Sequence, residues 1–390
     1  MTPLPALLTL DDYRKYSERN LIKLARDYYE SGAEQETTLR RNVSAFDNLL
    51  IRPRCLRSVE SIDTSVTWLN GKRAAYPLGI APTAFQKMAT KDGELSTVRG
   101  AAASKSIMIC SSWSTTSIED IGKEAKIVGA ALWFQLYVYK DRNVTESLIH
   151  RAEAAGVEAL VLTVDTPVLG RRLKDTYNKF SLPKHLKFAN FESNTQAEMP
   201  KGHTGESGFM QYVSSQIDPS LDWKTLEWIK TKTKLPVIVK GVMRGDDALL
   251  ALGAGVDGII VSNHGGRQMD SSIATIEALP EVLAAVDKRI PVWMDGGVRN
   301  GRDIFKAVAL GARGVFVGRP VLWGLATSVI FPFFSFFFYC SIINVQGSSG
   351  VAAVLGILQK EFLHSMQLSG YRSIEELQKD DRAVVHCSKL

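Results

Sequence analysis

The chain has 390 residues, 45% hydrophobic and 23% charged, a balance that excludes disorder, collagen-like repeats and small disulfide scaffolds and leaves room for one large or two ordinary domains. Lysine plus arginine exceed aspartate plus glutamate by 47 to 41, a net charge of +6, with no block of five or more like charges. That charge suits small anionic ligands and argues against a nucleic-acid partner.

In chain order, the N-terminal run Met-Thr-Pro-Leu-Pro-Ala-Leu-Leu has no basic residue and turns acidic at Asp11, so no signal peptide is expected. Residues 10–33 read as two short helices, and an irregular segment to about Gly71 is expected to cover the N-terminal side of a barrel. Between Pro77 and Arg319 eight apolar, β-branched runs occur, at 77–84, 107–112, 131–138, 159–165, 236–242, 258–263, 291–297 and 314–319. Helical periodicity fills the gaps at 92–106, 117–125, 142–156, 221–234, 245–255, 274–288 and 300–312, and again at 350–369. Strands buried on both faces give continuous apolar runs, and parallel neighbours need crossover helices; eight such units predict a closed (β/α)8 TIM barrel. A doubly wound sheet is the alternative on counting, but no strand-to-helix turn carries a dinucleotide-type glycine fingerprint.

One connection, roughly 171–220, holds Pro, Gly, Ser and Asn in place of a clear helix. It reads as a long lid loop after strand 4, over the C-terminal face where barrels keep their chemistry. Four widely spaced cysteines, Cys55, Cys110, Cys340 and Cys387, indicate neither a metal site nor a disulfide framework. The chain ends Ser388-Lys389-Leu390, which reads as a peroxisomal address for an import receptor.

Polar residues end most of the apolar runs: Thr83, Ser111, Gln135 with Tyr137, Thr163 with Asp165, Lys240, Ser262 with His264, and Asp295. Any one could be a cap or a turn residue. Their convergence on one end of a barrel points to a ligand that satisfies them together. Lys240 closes an apolar strand, and its ammonium needs an anion, either a ligand or a salt bridge with Asp295 or Asp165. The run Ser262-Asn263-His264-Gly265-Gly266-Arg267-Gln268 offers a proton acceptor and a guanidinium that can grip a carboxylate. Asp295-Gly296-Gly297-Val298-Arg299 and Gly318-Arg319 add glycine amides and two guanidiniums where barrels commonly bind phosphate.

With these residues placed, the chain closely resembles the FMN-dependent L-2-hydroxy acid oxidase family, in its glycolate oxidase branch. The motifs D-Y-Y-x-S-G-A, S-S-W, Q-L-Y, T-V-D-T-P, S-N-H-G-G-R-Q and D-G-G-V-R carry the resemblance, from about Asp11 to Ala326 and again from Gln346. It implies FMN as cofactor, with Thr83, Ala84, Ser111, Gln135, Thr163, Lys240 and Ser262 on the flavin. Asp295, Gly297, Arg299, Gly318 and Arg319 would hold its phosphate. Tyr28, Tyr137, Arg172 and Arg267 would bind the substrate, His264 would be the base, and Asp165 would stand beside it. Trp113 and Leu169 would crowd the substrate's side chain and favour glycolate over long-chain hydroxy acids. The implied reaction converts a small 2-hydroxy acid and O2 to a 2-oxo acid and hydrogen peroxide. His264 would take either the hydroxyl proton, with hydride passing to the flavin, or the α-proton; the residues leave both open. A lactate-preferring oxidase or dehydrogenase is a further alternative, although no haem-binding segment precedes residue 77. A homotetramer in the peroxisome is also implied, with no membrane partner. Thr90-Lys91, Ser271 and Ile273 depart from the family pattern in loops beside the site.

The whole chain, 1–390, is therefore expected to be one domain, with its barrel core at about 77–370. The larger departure lies at about 327–344, between Gly324-Leu325-Ala326 and Gln346-Gly347. Six of the sixteen phenylalanines fall in residues 331–338, within a stretch from Pro320 to Gln359 that has no charged side chain. A transmembrane span is nearly long enough but would separate two parts of one barrel. A surface loop would expose a large apolar patch. A retained intron, translated in frame, fits the pyrimidine-rich codons of Phe, Ser, Pro, Tyr and Ile, and an inactive or misfolding isoform is its functional consequence.

Overall fold

The chain forms a closed ring of eight parallel strands, as the alternating pattern predicts, and a computed structural model describes it over residues 7–69, 71–191, 213, 215–327 and 347–389. The apolar insert, apart from Thr327, and the final Leu390 lie outside the described residues. The N-terminal helices α1 (Leu10–Asn20) and α2 (Lys23–Glu30) are present as expected. Helix α1 begins at a capping box, Thr9 accepting from the Asp12 amide while Asp12 accepts from that of Thr9.

The next segment corrects an expectation. Instead of being irregular, it forms α3 (Thr37–Ser44), a 3-10 turn at Ala45–Asn48 and β1 (Leu49–Ile51). The Thr38 amide donates to Asp270 Oδ1, and the Asn42 side-chain amide pairs with that of Asn263. Helix α3 therefore packs against the loop of the proposed base, at the C-terminal face and not the N-terminal one. The last part of the same segment does cover the N-terminal end as expected, in a small hairpin of β2 (Val66–Thr67) with β3 (Arg73–Ala74). Its Trp68 packs on Trp133, Trp293 and Phe316 with ring centroids 5.7, 5.8 and 5.2 Å away. These rings plug the barrel floor, each contributing about 1.5–3 kcal/mol through burial.

The barrel then runs β4 (Leu78–Ile80), α4 (Glu94–Ala103), β5 (Ile107–Ser111), α5 (Ile118–Val128), β6 (Leu132–Leu136), α6 (Arg142–Ala155) and β7 (Leu160–Thr163). After the long connection, which contains α7 (Leu173–Tyr177), come α8 (Trp223–Lys232), β8 (Val237–Val242), α9 (Gly245–Gly253), β9 (Gly258–Val261) and α10 (Thr275–Val286). The ring ends with β10 (Val292–Asp295), α11 (Gly301–Ala309), β11 (Gly314–Val317) and α12 (Arg319–Leu325). Each barrel strand pairs in parallel with its sequence neighbour, and β11 closes on β4 through Val315 and Leu78. Almost every strand residue is buried, which is why the runs read as continuously apolar.

Helix α13 (Ser348–Ser369) packs against α12, α11 and α4 and serves as the eighth outer helix. After α14 (Ile374–Gln378), β12 (Val384–His386) returns antiparallel to β1, Leu49 opposite His386, and carries the chain to Ser388 at the surface. Among the described residues no helix is long and apolar enough to cross a membrane.

Candidate active site

The C-terminal ends of the strands surround a cavity. On one wall the ends of β5, β6 and β7 form a polar ladder. Gln135 Oε1 accepts from the Ser112 amide at 3.1 Å and the Ser111 hydroxyl at 3.4 Å, while its Nε2 donates to Thr163 Oγ1 at 3.1 Å. Thr83, at the end of β4, is held by Gln86, whose Nε2 donates to Thr83 Oγ1 at 2.9 Å. The buried side chains thus satisfy one another and still present a row of amide and hydroxyl groups to a ligand.

Across the barrel, Lys240 donates to Ser262 Oγ at 2.8 Å and stands 3.2 Å from Asp295 Oδ2; Ser262 in turn donates to Asp295 Oδ1 at 2.6 Å. A register shift between Lys240 and Val242 marks this end of β8. The salt bridge with Asp295 is the one considered from sequence, and Lys240 lines the cavity as well. Ser262 is fully buried and joins Lys240 to Asp295 through its hydroxyl. Asp295 lines the cavity at the end of β10, its carboxylate paired with the Lys240 ammonium.

The loop after β9 carries His264 in a left-handed conformation, φ 58°, unusual for a residue with a Cβ. Its Nδ1 lies 2.9 Å from Asp165 Oδ1, and Thr166 Oγ1 donates to the same oxygen at 2.8 Å. With Nδ1–H given to Asp165, Nε2 carries a lone pair. The ring is 21% exposed and lines the cavity. Burial dominates the His264 pKa and lowers it; Asp165 opposes this, and Lys240 and Arg172 reinforce it. Burial would raise Asp165, but the neighbouring His264 and Lys240 outweigh it and hold the carboxyl below its ordinary value. Asp165 stands behind His264 and is not part of the cavity wall.

Two guanidiniums flank this pair. Arg172 is buried, with Asp175 at 3.9 Å; Arg267 donates to the carbonyls of Tyr28 and Ser31 at 2.8 Å and lies over the Tyr28 ring. Burial, helped by Arg172, pulls Arg267 down to about 9, the mark of a site short of negative charge. Tyr28, Tyr137, Trp113 and Leu169 complete this end of the cavity. Tyr28 is stacked on Phe180 of the lid at 4.4 Å, and burial raises both the Tyr28 and Tyr137 hydroxyls.

At the end of the cavity built by the loops after β10 and β11 stand Gly297, Arg299, Gly318 and Arg319, the last sharing the Ser31 carbonyl with Arg267. Arg319 donates to the carbonyls of Tyr29, Gly265 and Ser31 at 2.9–3.0 Å, and Arg299 to that of Val298 at 2.8 Å. Burial lowers both guanidiniums to about 10. Two cations whose hydrogen bonds go to main-chain carbonyls, beside glycine-rich turns, form a donor set suited to a phosphate dianion. The ladder, Lys240 and this cationic end together fit a phosphorylated flavin.

Of the residues singled out from sequence, all but Ser262 and Asp165 line the cavity, and those two are hydrogen-bonded to Lys240 and His264. The cavity also includes Tyr29, Val213, Ile217 and Leu322, which the sequence does not single out. Val213 and Ile217 come from the lid connection, where no motif marks an apolar residue as facing inward. Tyr29 was within reach, as the neighbour of Tyr28 on an amphipathic helix.

A phosphate-and-flavin cavity at the C-terminal face of a (β/α)8 barrel, with a histidine–carboxylate pair and two arginines, is that of a flavin-dependent oxidoreductase. The chain belongs to the FMN-dependent dehydrogenase family, whose sequence model matches residues 17–328. It is 45% identical to 2-hydroxyacid oxidase 1 of Mus musculus over 377 residues, 96% of each chain. It is 48% identical to glycolate oxidase 1 of Oryza sativa subsp. indica over 366 residues, 94% of this chain and 93% of that one. Among solved structures, mandelate oxidase with (S)-4-hydroxymandelic acid matches with a TM-score of 0.86 at 35% identity, covering 97% of this chain and 98% of that one.

Proposed function

We propose that the chain is an (S)-2-hydroxy-acid oxidase that converts short 2-hydroxy acids, glycolate above all, and O2 to 2-oxo acids and hydrogen peroxide. The observation that carries this reading is the His264–Asp165 pair at 2.9 Å beside Arg172 and Arg267 in one cavity. The two arginines bind the substrate carboxylate and so fix the hydroxyl-bearing carbon in front of His264. His264 Nε2, unprotonated at neutral pH because burial lowers its pKa, takes the proton of the 2-hydroxyl, and Asp165 stabilises the resulting imidazolium. Tyr28 and Tyr137 orient the substrate, and Trp113 and Leu169 limit the length of its side chain. FMN, when bound, supplies a two-electron acceptor that O2 reoxidises, with hydrogen peroxide as the second product. Thr83, Ala84, Ser111, Gln135, Thr163 and Ser262 hold the ring, Lys240 sets a positive charge beside it, and Asp295, Gly297, Arg299, Gly318 and Arg319 hold the phosphate.

We read the chain as one catalytic barrel with a peroxisomal tail, Ser388-Lys389-Leu390, recognised by an import receptor, and as a homotetramer by its resemblance to the family. The test is spectroscopic. The purified protein is expected to be yellow, to bleach on anaerobic addition of glycolate faster than with lactate or longer hydroxy acids, and to release hydrogen peroxide in air. A soluble colourless protein refutes the reading in favour of an inactive form. His264→Ala should retain FMN and lose the bleaching.

A further inference from the structure

The loop after β7 carries Asp165, Leu169 and Arg172, and the loop after β9 carries His264 and Arg267. Each functional pair of the cavity, histidine with carboxylate and arginine with arginine, therefore takes one member from each loop. Catalysis on this plan needs the two loops at one fixed spacing, since a misplacement of about 1 Å can cost about 100-fold in rate.

Besides the His264–Asp165 contact itself, the side chain of Gln268 bridges them. Gln268 Nε2 donates to the carbonyl oxygens of Asp165 and Val168, both at 2.9 Å, and Gln268 Oε1 accepts from the Gly170 amide at 3.0 Å. Both amide protons and the carbonyl are thus used, all on the neighbouring loop. The two backbones are in direct contact at the same place: a Cβ on Gly170 would collide with the Arg267 carbonyl oxygen and stand 2.7 Å from Gln268 Cα. Gln268 acts through the loop it binds: the three hydrogen bonds of its carboxamide all go to the main chain of the β7 loop.

We infer that Gln268 is a positioning residue: its carboxamide staples the β7 loop to the β9 loop and so sets the Asp165–His264 contact and the Arg172–Arg267 spacing for hydroxy-acid oxidation. The inference rests on the proposed oxidase reading for its kinetic consequence but not for the loop geometry. The residue type follows from the bonding. Two carbonyls must be met by donors and one amide by an acceptor on a single side chain, which glutamine does and glutamate cannot. Other bonds keep the loops folded without it: the Ala33 amide donates to the Gly266 carbonyl at 2.8 Å, and the Glu34 amide to that of Arg171 at 2.9 Å.

The test uses the FMN-loaded full chain with Gln268→Met, which keeps length and removes all three bonds. FMN content and melting temperature should match the wild type, while kcat/KM for glycolate falls about 10- to 100-fold. The second readout is the titration of the His264 ring, followed by NMR in imidazole-labelled protein. The groups that face this ring are Asp165 from the β7 loop, Lys240 from β8 and Arg172 from the lid side. Of these, Asp165 alone raises its pKa, so a loosened contact should move the titration to lower pH. Gly170→Ala, which forces the loops apart by another route, should give the same pair of changes. An unmoved His264 titration in Gln268→Met overturns the proposal, whether or not kcat/KM falls. If the wild-type chain leaves glycolate untouched, the oxidase reading fails, and the titration still decides the staple.

Discussion

Replacing Asp165 with Asn isolates what the carboxylate does for His264. The contact is a part-buried hydrogen bond of 2.9 Å that becomes charge-assisted once the ring is protonated. Bonds of that kind contribute about 1.5–3 kcal/mol, so losing one from the protonated state should slow substrate oxidation about 10- to 160-fold. The amide adds a second effect. Asn can donate its own N–H to Nδ1, which places the ring proton on Nε2 and removes the lone pair that faces the cavity. A comparable tautomer inversion in a serine protease costs about 10,000-fold, which sets the upper bound here.

The assay is anaerobic stopped-flow bleaching of the flavin by glycolate, with the FMN content measured on the same sample. The rate constant for reduction should fall within these limits. Apparent substrate affinity should change little, because Arg172 and Arg267 are untouched. A reduction rate within about threefold of wild type, in protein that still holds FMN, would falsify the role given to the pair.

Three further outcomes depend on the same cavity. The base must be neutral to act, and burial holds His264 below the ordinary histidine value of 6.5. The acid-side decline of wild-type kcat/KM should thus be centred below 6.5, and a decline centred above 6.5 contradicts the burial argument. Arg299→Gln removes one guanidinium from the phosphate end and should weaken FMN about 10- to 150-fold by equilibrium dialysis, leaving the reduction rate of the loaded fraction intact. Trp113→Ala should raise the ratio of kcat/KM for longer hydroxy acids over glycolate by about 10-fold or more, and an unchanged chain-length profile sinks the steric reading.

The barrel was legible because strands buried on both faces leave unbroken apolar runs, and its site because polar residues such as Gln135 and Lys240 interrupt those runs at one end only. What stayed hidden depends on tertiary partners. Helix α3 has the sequence T-T-L-R-R-N-V-S, weak in helix propensity, and is held in place by Asp270 on the Thr38 amide and by the Arg41 bridge to Glu277 at 2.8 Å. Ser262 reads like any strand-end serine, and only the folded barrel shows that its hydroxyl joins Lys240 to Asp295. Gln268 sits in a motif whose histidine and arginine draw the attention, while its three partners lie about 100 residues earlier in the chain.

The apolar insert can be judged from its flanks. Helix α12 and the start of α13 are in direct contact: a Cβ on Gly350 would collide with the Gly324 carbonyl and with Thr327 Oγ1. Thr327 Oγ1 also donates to the Gly324 carbonyl at 2.6 Å, so the chain before the insert is anchored at the point it leaves. The chain thus departs at Thr327 and has returned by Gly350 to a place within side-chain reach. Helix α13 starts at Ser348 and its cap Gly347 lies against the Leu325 side chain, so Val345 and Gln346, at up to about 3.6 Å each, are left to join the two ends. The barrel should therefore close without residues 328–344. Deleting them should leave FMN binding and glycolate bleaching at or above wild-type levels, and should raise soluble yield by removing the cluster of phenylalanines. Loss of folded, yellow protein on deletion would show that the insert contributes to the barrel itself, and the retained-intron explanation would fall with it.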